Sequence, residues 1–263
     1  MPVKPITKQL KVALIQSELV WQDAAANRAY FAEQLSKLRE VDLVLLPETF
    51  NSGFSMQSNL IAEEMTGPTV QWLQQQAMFY QWAICGSVAI KTAEGVHNRL
   101  LFVHPDGSIE YYDKKHLFRM ANEHQHYVAG ACRKVVQYKG FRLMLQVCYD
   151  LRFPVFARNR GDYDVLIYVA NWPQARREIW RTLLAARAIE NQAYVLGCNR
   201  VGQDDNGFDY SGDSLVLDYL GQPQAELKPH QAGVLLANLD LVQLQDFRQK
   251  FPAMLDADDF SLL

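Results

Sequence analysis

The apolar run Leu143-Met144-Leu145-Gln146-Val147 stops at Cys148, and a polar break, Tyr149-Asp150-Leu151-Arg152, separates it from Phe153-Pro154. A run this short and this apolar reads as a buried strand. Proline suits the first turn of a helix, and the VFARNR that follows carries helix formers with cations near its end, so the stretch to Arg160 reads as strand, tight turn, helix. That arrangement lifts the Cys148 thiol out of the sheet. Helix amide dipoles and the nearby Arg152 are expected to favour a thiolate there and to depress its pKa below those of the other thiols. The competing reading is an inert cysteine buried at a strand end, the commoner fate of a free thiol.

The same pattern recurs along the chain. Val41 to Leu46 is a buried strand that ends in Pro47-Glu48-Thr49-Phe50, and Ser108 to Asp113 runs into Lys114. Asp164 to Ala170 ends in Asn171-Trp172-Pro173. Chemistry placed just past the carboxyl ends of buried strands is the habit of open α/β sheets. Further strands are read over 11–15, 82–90, 98–104, 194–201, 214–218 and 233–239, with a hairpin of 134–138 and 141–147 around Lys139-Gly140. Helices are expected from Asp23 to about Glu40 (Phe31, Leu35 and Leu38 in phase), from Pro68 to Tyr80 (Val70, Leu73, Ala77), from Arg177 to Gln192 and over 242–250. In the third of these, Ile179, Leu183, Ala186 and Ile189 or Glu190 fall in phase. Two long loops remain, 51–67 and the stretch up to Gly130 that holds Glu123, His124 and His126. No linker-like stretch and no solenoid repeat divides the chain, so residues 1–263 read as one α/β domain with mixed sheets.

Composition narrows the function. A formal net charge of -3 with 21% charged and 49% hydrophobic residues suits neither a nucleic-acid binder nor a membrane-surface protein. No apolar run reaches spanning length, and the first twenty residues lack the long apolar core of a signal peptide, so a cytoplasmic protein is expected. The cysteines, Cys85, Cys132, Cys148 and Cys198, form no CxxC pair, and no metal-ligand cluster or glycine fingerprint appears. No metal and no cofactor is therefore expected.

LLPETF, YDKKHLF and VCYDLRFP, in that order, resemble the three signature segments of the nitrilase superfamily of carbon–nitrogen hydrolases. The likeness extends to NEHQHYVAG, YVANWP and RAIENQAYVLGCNRVG and so covers nearly the whole chain. Within the superfamily the pattern is most similar to the bacterial omega-amidases, the 2-oxoglutaramate amidases. The resemblance implies a four-layer α-β-β-α sandwich, two mixed sheets flanked by helices, assembled as a homodimer. It also implies a triad: Glu48 as general base, Lys114 (two positions before His116-Leu117) as electrostatic partner and Cys148 as nucleophile. Glu123 matches a second carboxylate that orients the lysine and the substrate.

Elementary chemistry agrees with that triad. An amide carbonyl is a poor electrophile and needs a strong nucleophile, stabilisation of its oxyanion and a proton for the departing amine. Cys148, then Lys114 with the Tyr149 backbone N–H, then Glu48 would supply these in turn. A substrate with a far carboxylate needs a cation, and the candidates are Arg152 and Arg176, with Asn171 and Trp172 facing the substrate beside them. Their structural alternative is ordinary ion pairing, as is expected of Arg187 and Glu190 at helical spacing. Three other readings compete: a nitrilase, N-carbamoyl hydrolase or broader aliphatic amidase; a Cys–His hydrolase using His116, His124 or His126; and a non-catalytic protein on the same fold.

Overall fold

The computed structural model describes residues 8–262; the part of the signal-peptide reading that rests on residues 1–7 lies outside them. In chain order the elements are β1 (Gln9–Gln16), α1 (Ala24–Lys37), β2 (Leu43–Leu45), α2 (Ser58–Ile61), α3 (Pro68–Tyr80), β3 (Ala83–Thr92), β4 (Gly95–Val103) and β5 (Ile109–Asp113). Then follow α4 (Glu123–His126), β6 (Val135–Tyr138), β7 (Phe141–Val147), α5 (Pro154–Ala157), β8 (Val165–Ala170), α6 (Arg177–Asn191) and β9 (Tyr194–Asn199). The chain closes with β10 (Val201–Gln203), β11 (Asp209–Ser211), β12 (Leu215–Leu217), β13 (Pro223–Glu226), β14 (Gly233–Asp240) and α7 (Leu241–Lys250).

Alternation along the strands builds the layers. In β1, Val12 and Leu14 join one apolar cluster while Ala13 and Ile15 join another; in β2, Leu43 and Leu45 part from Val44 in the same way. Successive side chains point to opposite faces of a sheet, so a strand apolar at every position must be covered on both. The first cluster lies between two six-stranded mixed sheets, ordered β14-β1-β2-β3-β4-β5 and β13-β12-β9-β8-β7-β6. The second packs the first sheet against Phe31 and Leu35 of α1 and Val70, Leu73 and Ala77 of α3. Helix α6 covers the other sheet through Trp180, Leu184 and Ala188, against β9 and β12. This is the α-β-β-α sandwich expected from the resemblance. Asp23 caps α1 as read, accepting from the Ala26 N–H at 2.9 Å.

Four readings need correction. Cys148 is followed by a single 3-10 turn, Cys148–Arg152, and by the four-residue α5. Four residues make too little helix to aim a macrodipole at the thiol. The buried face of α6 is Trp180, Leu184, Arg187, Ala188 and Asn191, one position on from the stripe expected; Ile179 and Ile189 are exposed. Polar anchors to other parts of the fold favour that rotation: Arg187 donates to the Leu151 carbonyl at 2.6 Å, and Asn191 Oδ1 accepts the Asn159 N–H at 2.8 Å. The two long loops each hold a short helix, α2 and α4, and the expected Tyr194–Val201 strand breaks at Arg200 into β9 and β10.

Asp164, at the root of β8, ties the second sheet to the C-terminal helix. Its carboxylate accepts from Arg142 at 2.7 and 3.0 Å and from Arg248 of α7 at 2.9 Å. Burial works against the charge, but the hydrogen bonds and charges of Arg142 and Arg248 outweigh it and hold the pKa below the ordinary value. Removing one member of a buried pair strands the rest, although both guanidinium groups are partly solvated here. Asp164→Asn should therefore cost about 2–3 kcal/mol of unfolding free energy at neutral pH. Because the folded pKa is depressed, the contribution is full above the unfolded pKa of about 3.9 and fades as pH falls through the folded value. Urea unfolding of both proteins between neutral and acid pH checks this, with the gap closing only at the acid end.

Candidate active site

Four strand ends deliver the polar groups: Glu48 after β2, Lys114 after β5, Cys148 after β7 and Asn171 after β8. Glu48 and Lys114 are each 1% exposed and Glu123 is 0% exposed. The Glu48 turn is held in a sparsely populated conformation, with Thr49 at φ 42° and its N–H donated to Ser87 Oγ at 2.7 Å. Glu48 Oε1 accepts from Lys114 Nζ at 2.9 Å and from Asn98 Nδ2 at 2.8 Å, while Oε2 accepts from the Asn171 N–H at 2.8 Å. Asn171 Nδ2 also donates to the Glu48 carbonyl at 2.6 Å. The carboxylate is thus fixed in position and orientation by three elements.

Lys114 Nζ donates to both oxygens of Glu123, at 2.9 and 3.0 Å. Glu123 opens α4, and its Oε2 takes the Phe118 N–H at 2.5 Å, closing the loop that carries it over the lysine. Gly130 seals that loop: a Cβ there would meet the Asp113 carbonyl oxygen at 2.0 Å, so only glycine lets the chain return this close to the strand that delivers Lys114. Burial opposes the Lys114 ammonium, yet Glu123, Glu48 and Cys148 together push its pKa up. Burial pushes Glu123 up as well, with Glu48 adding to it and Lys114 opposing.

Cys148 stands at φ 44°, a left-handed conformation that a non-glycine residue adopts only when its surroundings impose it. Burial and then the Glu48 charge drive the thiol well above its ordinary pKa, with Lys114 as the lesser, opposing influence. This overturns the expected thiolate. The dipole that was to lower the pKa is missing, and burial with the Glu48 charge outweighs Lys114, so the thiol form is favoured.

The thiol opens into a cavity of about 270 Å³. The cavity wall includes Lys114, Cys148, Tyr149, Arg152, Asn171, Trp172 and Arg176, so every site residue expected from the sequence lies on it except Glu48 and Glu123, which stand behind Lys114. Arg152 lies 5.2 Å from the Trp172 ring and Arg176 5.3 Å from the Phe118 ring. Neither forms an ion pair among the described residues, whereas Arg177 next door is paired with Asp213 at 2.6 Å. Trp172 is a wall more than a ligand: its Nε1 donates to the Arg176 carbonyl at 2.8 Å and its N–H to Asn199 Oδ1 at 2.8 Å. Asn171 likewise gives both kinds of N–H to Glu48.

No histidine among the described residues lines this cavity. His116 Nδ1 sits 2.7 Å from Asp150 Oδ1 and its ring stacks on Phe153 at 3.9 Å, while His124 and His126 are exposed. Sequence reasoning missed Asn98, Phe54, Phe118, Asp204, Phe208 and Tyr210. The buried amide Asn98 left a trace, as the polar start of an apolar strand. Residues 204–207 read as a turn or loop, which they form between β10 and β11, and nothing local in them says that Asp204, Phe208 and Tyr210 line the cavity.

The family model of the carbon-nitrogen hydrolases matches residues 11–249. Omega-amidase YafV of Yersinia enterocolitica is 54% identical over 256 residues, 97% of this chain and 99% of its own length. A 2-oxoglutaramate amidase of Bacillus subtilis (strain 168) is 32% identical over 86% of this chain and 88% of its own. The crystal structure of a CN-hydrolase superfamily protein from Xanthomonas campestris, with an arsenic adduct in its active site, superposes with a TM-score of 0.95 at 50% identity, covering 97% of this chain and 99% of that one.

Cys132 is the one exposed thiol among the described residues. Iodoacetamide at neutral pH should therefore modify Cys132 without loss of activity, and inactivation should track the slower modification of Cys148. Because the Cys148 pKa is raised, its alkylation rate should still be climbing above pH 9, by about tenfold per unit while the thiol form dominates. Peptide mapping with parallel assays over a pH series tests this; inactivation that tracks Cys132, or a rate already level at pH 7, is the contrary result.

Proposed function

The chain belongs to the carbon–nitrogen hydrolase family, and on that premise we propose that it is an omega-amidase. It hydrolyses the terminal amide of a small dicarboxylate monoamide, with 2-oxoglutaramate giving 2-oxoglutarate and ammonia. The observation that carries the reading is the cavity itself: a buried Glu48–Lys114–Glu123 cluster beside the Cys148 thiol, and two guanidinium groups in its wall that have no carboxylate partner among the described residues.

Glu48 takes the Cys148 proton as sulfur attacks the amide carbon. The carbonyl oxygen becomes an oxyanion met by the Lys114 ammonium and the Tyr149 N–H. Glu48 then gives its proton to the nitrogen as the carbon–nitrogen bond breaks, and ammonia leaves a thioester. Water, deprotonated by Glu48, attacks that thioester; the second tetrahedral intermediate collapses, the acid departs, and the thiol regains its proton. Glu123 keeps Lys114 charged and aimed throughout. Arg152 and Arg176 hold the far carboxylate, whose burial without a cation would cost more than the rest of the ligand gains.

The polypeptide acts as a single catalytic domain, a reading supported by the one apolar cluster shared by both sheets. A homodimer is supported by the exposed Ile179 and Ile189 on the outer face of α6. A cytoplasmic setting is supported by four free thiols, which suit a reducing compartment.

Glu48→Gln retains shape but not basicity, so kcat should fall by about 10²–10⁴-fold with circular dichroism unchanged; near-normal turnover would remove Glu48 from the mechanism. The substrate reading is tested by comparing succinamate and 2-oxoglutaramate with butyramide in the wild type, Arg152→Met and Arg176→Met. Loss of a charged hydrogen-bond partner of the far carboxylate should lower kcat/KM for the acids by about 10–100-fold and leave butyramide nearly unchanged. A wild type that turns over butyramide as well as the acids favours the broader aliphatic amidase, and a nitrile or N-carbamoyl substrate outperforming all three would replace the reading.

A further inference from the structure

Asp150 lies two residues past the nucleophile, is completely buried, and does not line the cavity. Its carboxylate accepts four hydrogen bonds. Oδ2 takes the Val147 N–H at 2.9 Å and the Tyr112 hydroxyl at 2.8 Å; Oδ1 takes the His116 N–H at 2.9 Å and faces His116 Nδ1 at 2.7 Å. Tyr112 and His116 flank Lys114 in sequence, and the Tyr112 hydroxyl in turn accepts the Lys115 N–H at 3.0 Å. Val147 immediately precedes Cys148. One carboxylate thus grips the chain on both sides of the lysine and directly before the cysteine.

From this juxtaposition we infer that Asp150 is a positioning residue for catalysis: it clasps the Lys114 segment to the Cys148 turn and holds the nucleophile in its left-handed conformation. The inference rests on the reading of Cys148 as the nucleophile. The strain at Cys148, φ 44°, needs surroundings that over-determine it, and four charge-assisted hydrogen bonds on an immovable carboxylate supply them. Stacking of His116 on Phe153 at 3.9 Å fixes the imidazole in that grip. Burial, and then the Asp150 charge, push the Tyr112 pKa well up, so its hydroxyl remains a donor to Asp150. An amide in place of the carboxylate, as in Asp150→Asn, would keep two acceptor directions at most, and the donors of Val147, Tyr112 and His116 would compete for them.

The test uses purified full-length Asp150→Asn, Tyr112→Phe and the double variant. Three readouts are taken: kcat and KM on the amide that the wild type turns over best, the iodoacetamide rate at Cys148 with Cys132 as internal reference, and Tm. A nucleophile displaced by about 1 Å loses about 100-fold in rate. Asp150→Asn should therefore lower kcat by about 100-fold with KM within about threefold, and change the Cys148 alkylation rate by at least about threefold while Cys132 is unaffected. Tyr112→Phe should lose about tenfold in kcat, and the double variant no more than Asp150→Asn alone, since the phenol acts through the carboxylate. A purely structural Asp150 would lower Tm and leave kcat per folded molecule and Cys148 reactivity intact, and that result overturns the inference, as does a rise in KM that accounts for the whole loss. If Asp150→Asn does not fold, Tyr112→Phe decides alone: kcat within about twofold of wild type and unchanged Cys148 reactivity overturn it. The alkylation rate needs no substrate, so an error in the omega-amidase reading leaves this test standing.

Discussion

One buried ammonium between two buried carboxylates governs this molecule. Lys114 lies 2.9 Å from Glu48 and 2.9 Å from Glu123, with all three side chains out of solvent. Taking three charges out of water costs several kcal/mol each after relaxation, and only close, well-aimed partners return it. The chain meets that demand with neutral donors as well: Asn98 and Asn171 on Glu48, the Phe118 N–H on Glu123. Asn98 comes from within β4, Asn171 from the end of β8 and Phe118 from the loop after β5. The cluster can exist only if β2, β4, β5 and β8 are all in register, so the site and the sandwich are specified together.

The same arithmetic explains the resting state of the nucleophile. Burial disfavours a thiolate, and the Glu48 charge adds to that more than the Lys114 ammonium relieves it. A pre-formed thiolate would satisfy the chemistry of attack but not the electrostatics of an empty site. In the proposed reaction the thiol loses its proton to Glu48 only as the negative charge passes onward to the substrate oxygen, where Lys114 can meet it. Charge is then created where a partner waits, which is the sense in which a preorganised site favours the transition state over the ground state.

What could be read in the sequence was whatever repeats locally. The apolar runs at Val41–Leu46 and Leu143–Val147 declared strands buried on both faces, and Asp23 and Pro68 marked helix starts that the structure reproduces. Glu48 and Cys148 follow such runs and Lys114 follows a half-exposed strand, but it is the likeness of the three segments to the carbon–nitrogen hydrolase signatures that singles these residues out. Periodicity failed on α6, where a buried arginine and asparagine turned the helix by one position: an apolar stripe cannot register a polar side chain whose burial is offset by a carbonyl elsewhere in the fold. The thiol's pKa was misjudged for the same kind of reason. Arg152 is close in sequence, but Glu48, distant along the chain, is the charge that Cys148 feels. The Asp204–Tyr210 segment contributes through tertiary position alone, and no spacing in the sequence announces it.

The distribution of charge along the cavity also sets how a substrate can enter. Lys114 is the charged group of the buried cluster that lines the cavity, with Glu48 and Glu123 behind it, and Arg152 and Arg176 stand in the wall. Asp204, the acidic residue on that wall, accepts from the N–H groups of Asn206 and Phe208 and from the Tyr210 hydroxyl, at 2.9, 3.0 and 2.9 Å, and forms no ion pair with either arginine among the described residues. A monoamide of a dicarboxylic acid has one neutral end and one anionic end. Entered with its carboxylate first, it would leave Arg152 and Arg176 with no anion to meet and put a carboxylate where the proposed reaction needs a neutral carbonyl. In the proposed binding mode it enters amide first, pairs its carboxylate with Arg152 and Arg176 and presents a neutral carbonyl to sulfur. On that proposal the two arginines, which have no carboxylate partner among the described residues, select the end of the substrate that reaches Cys148.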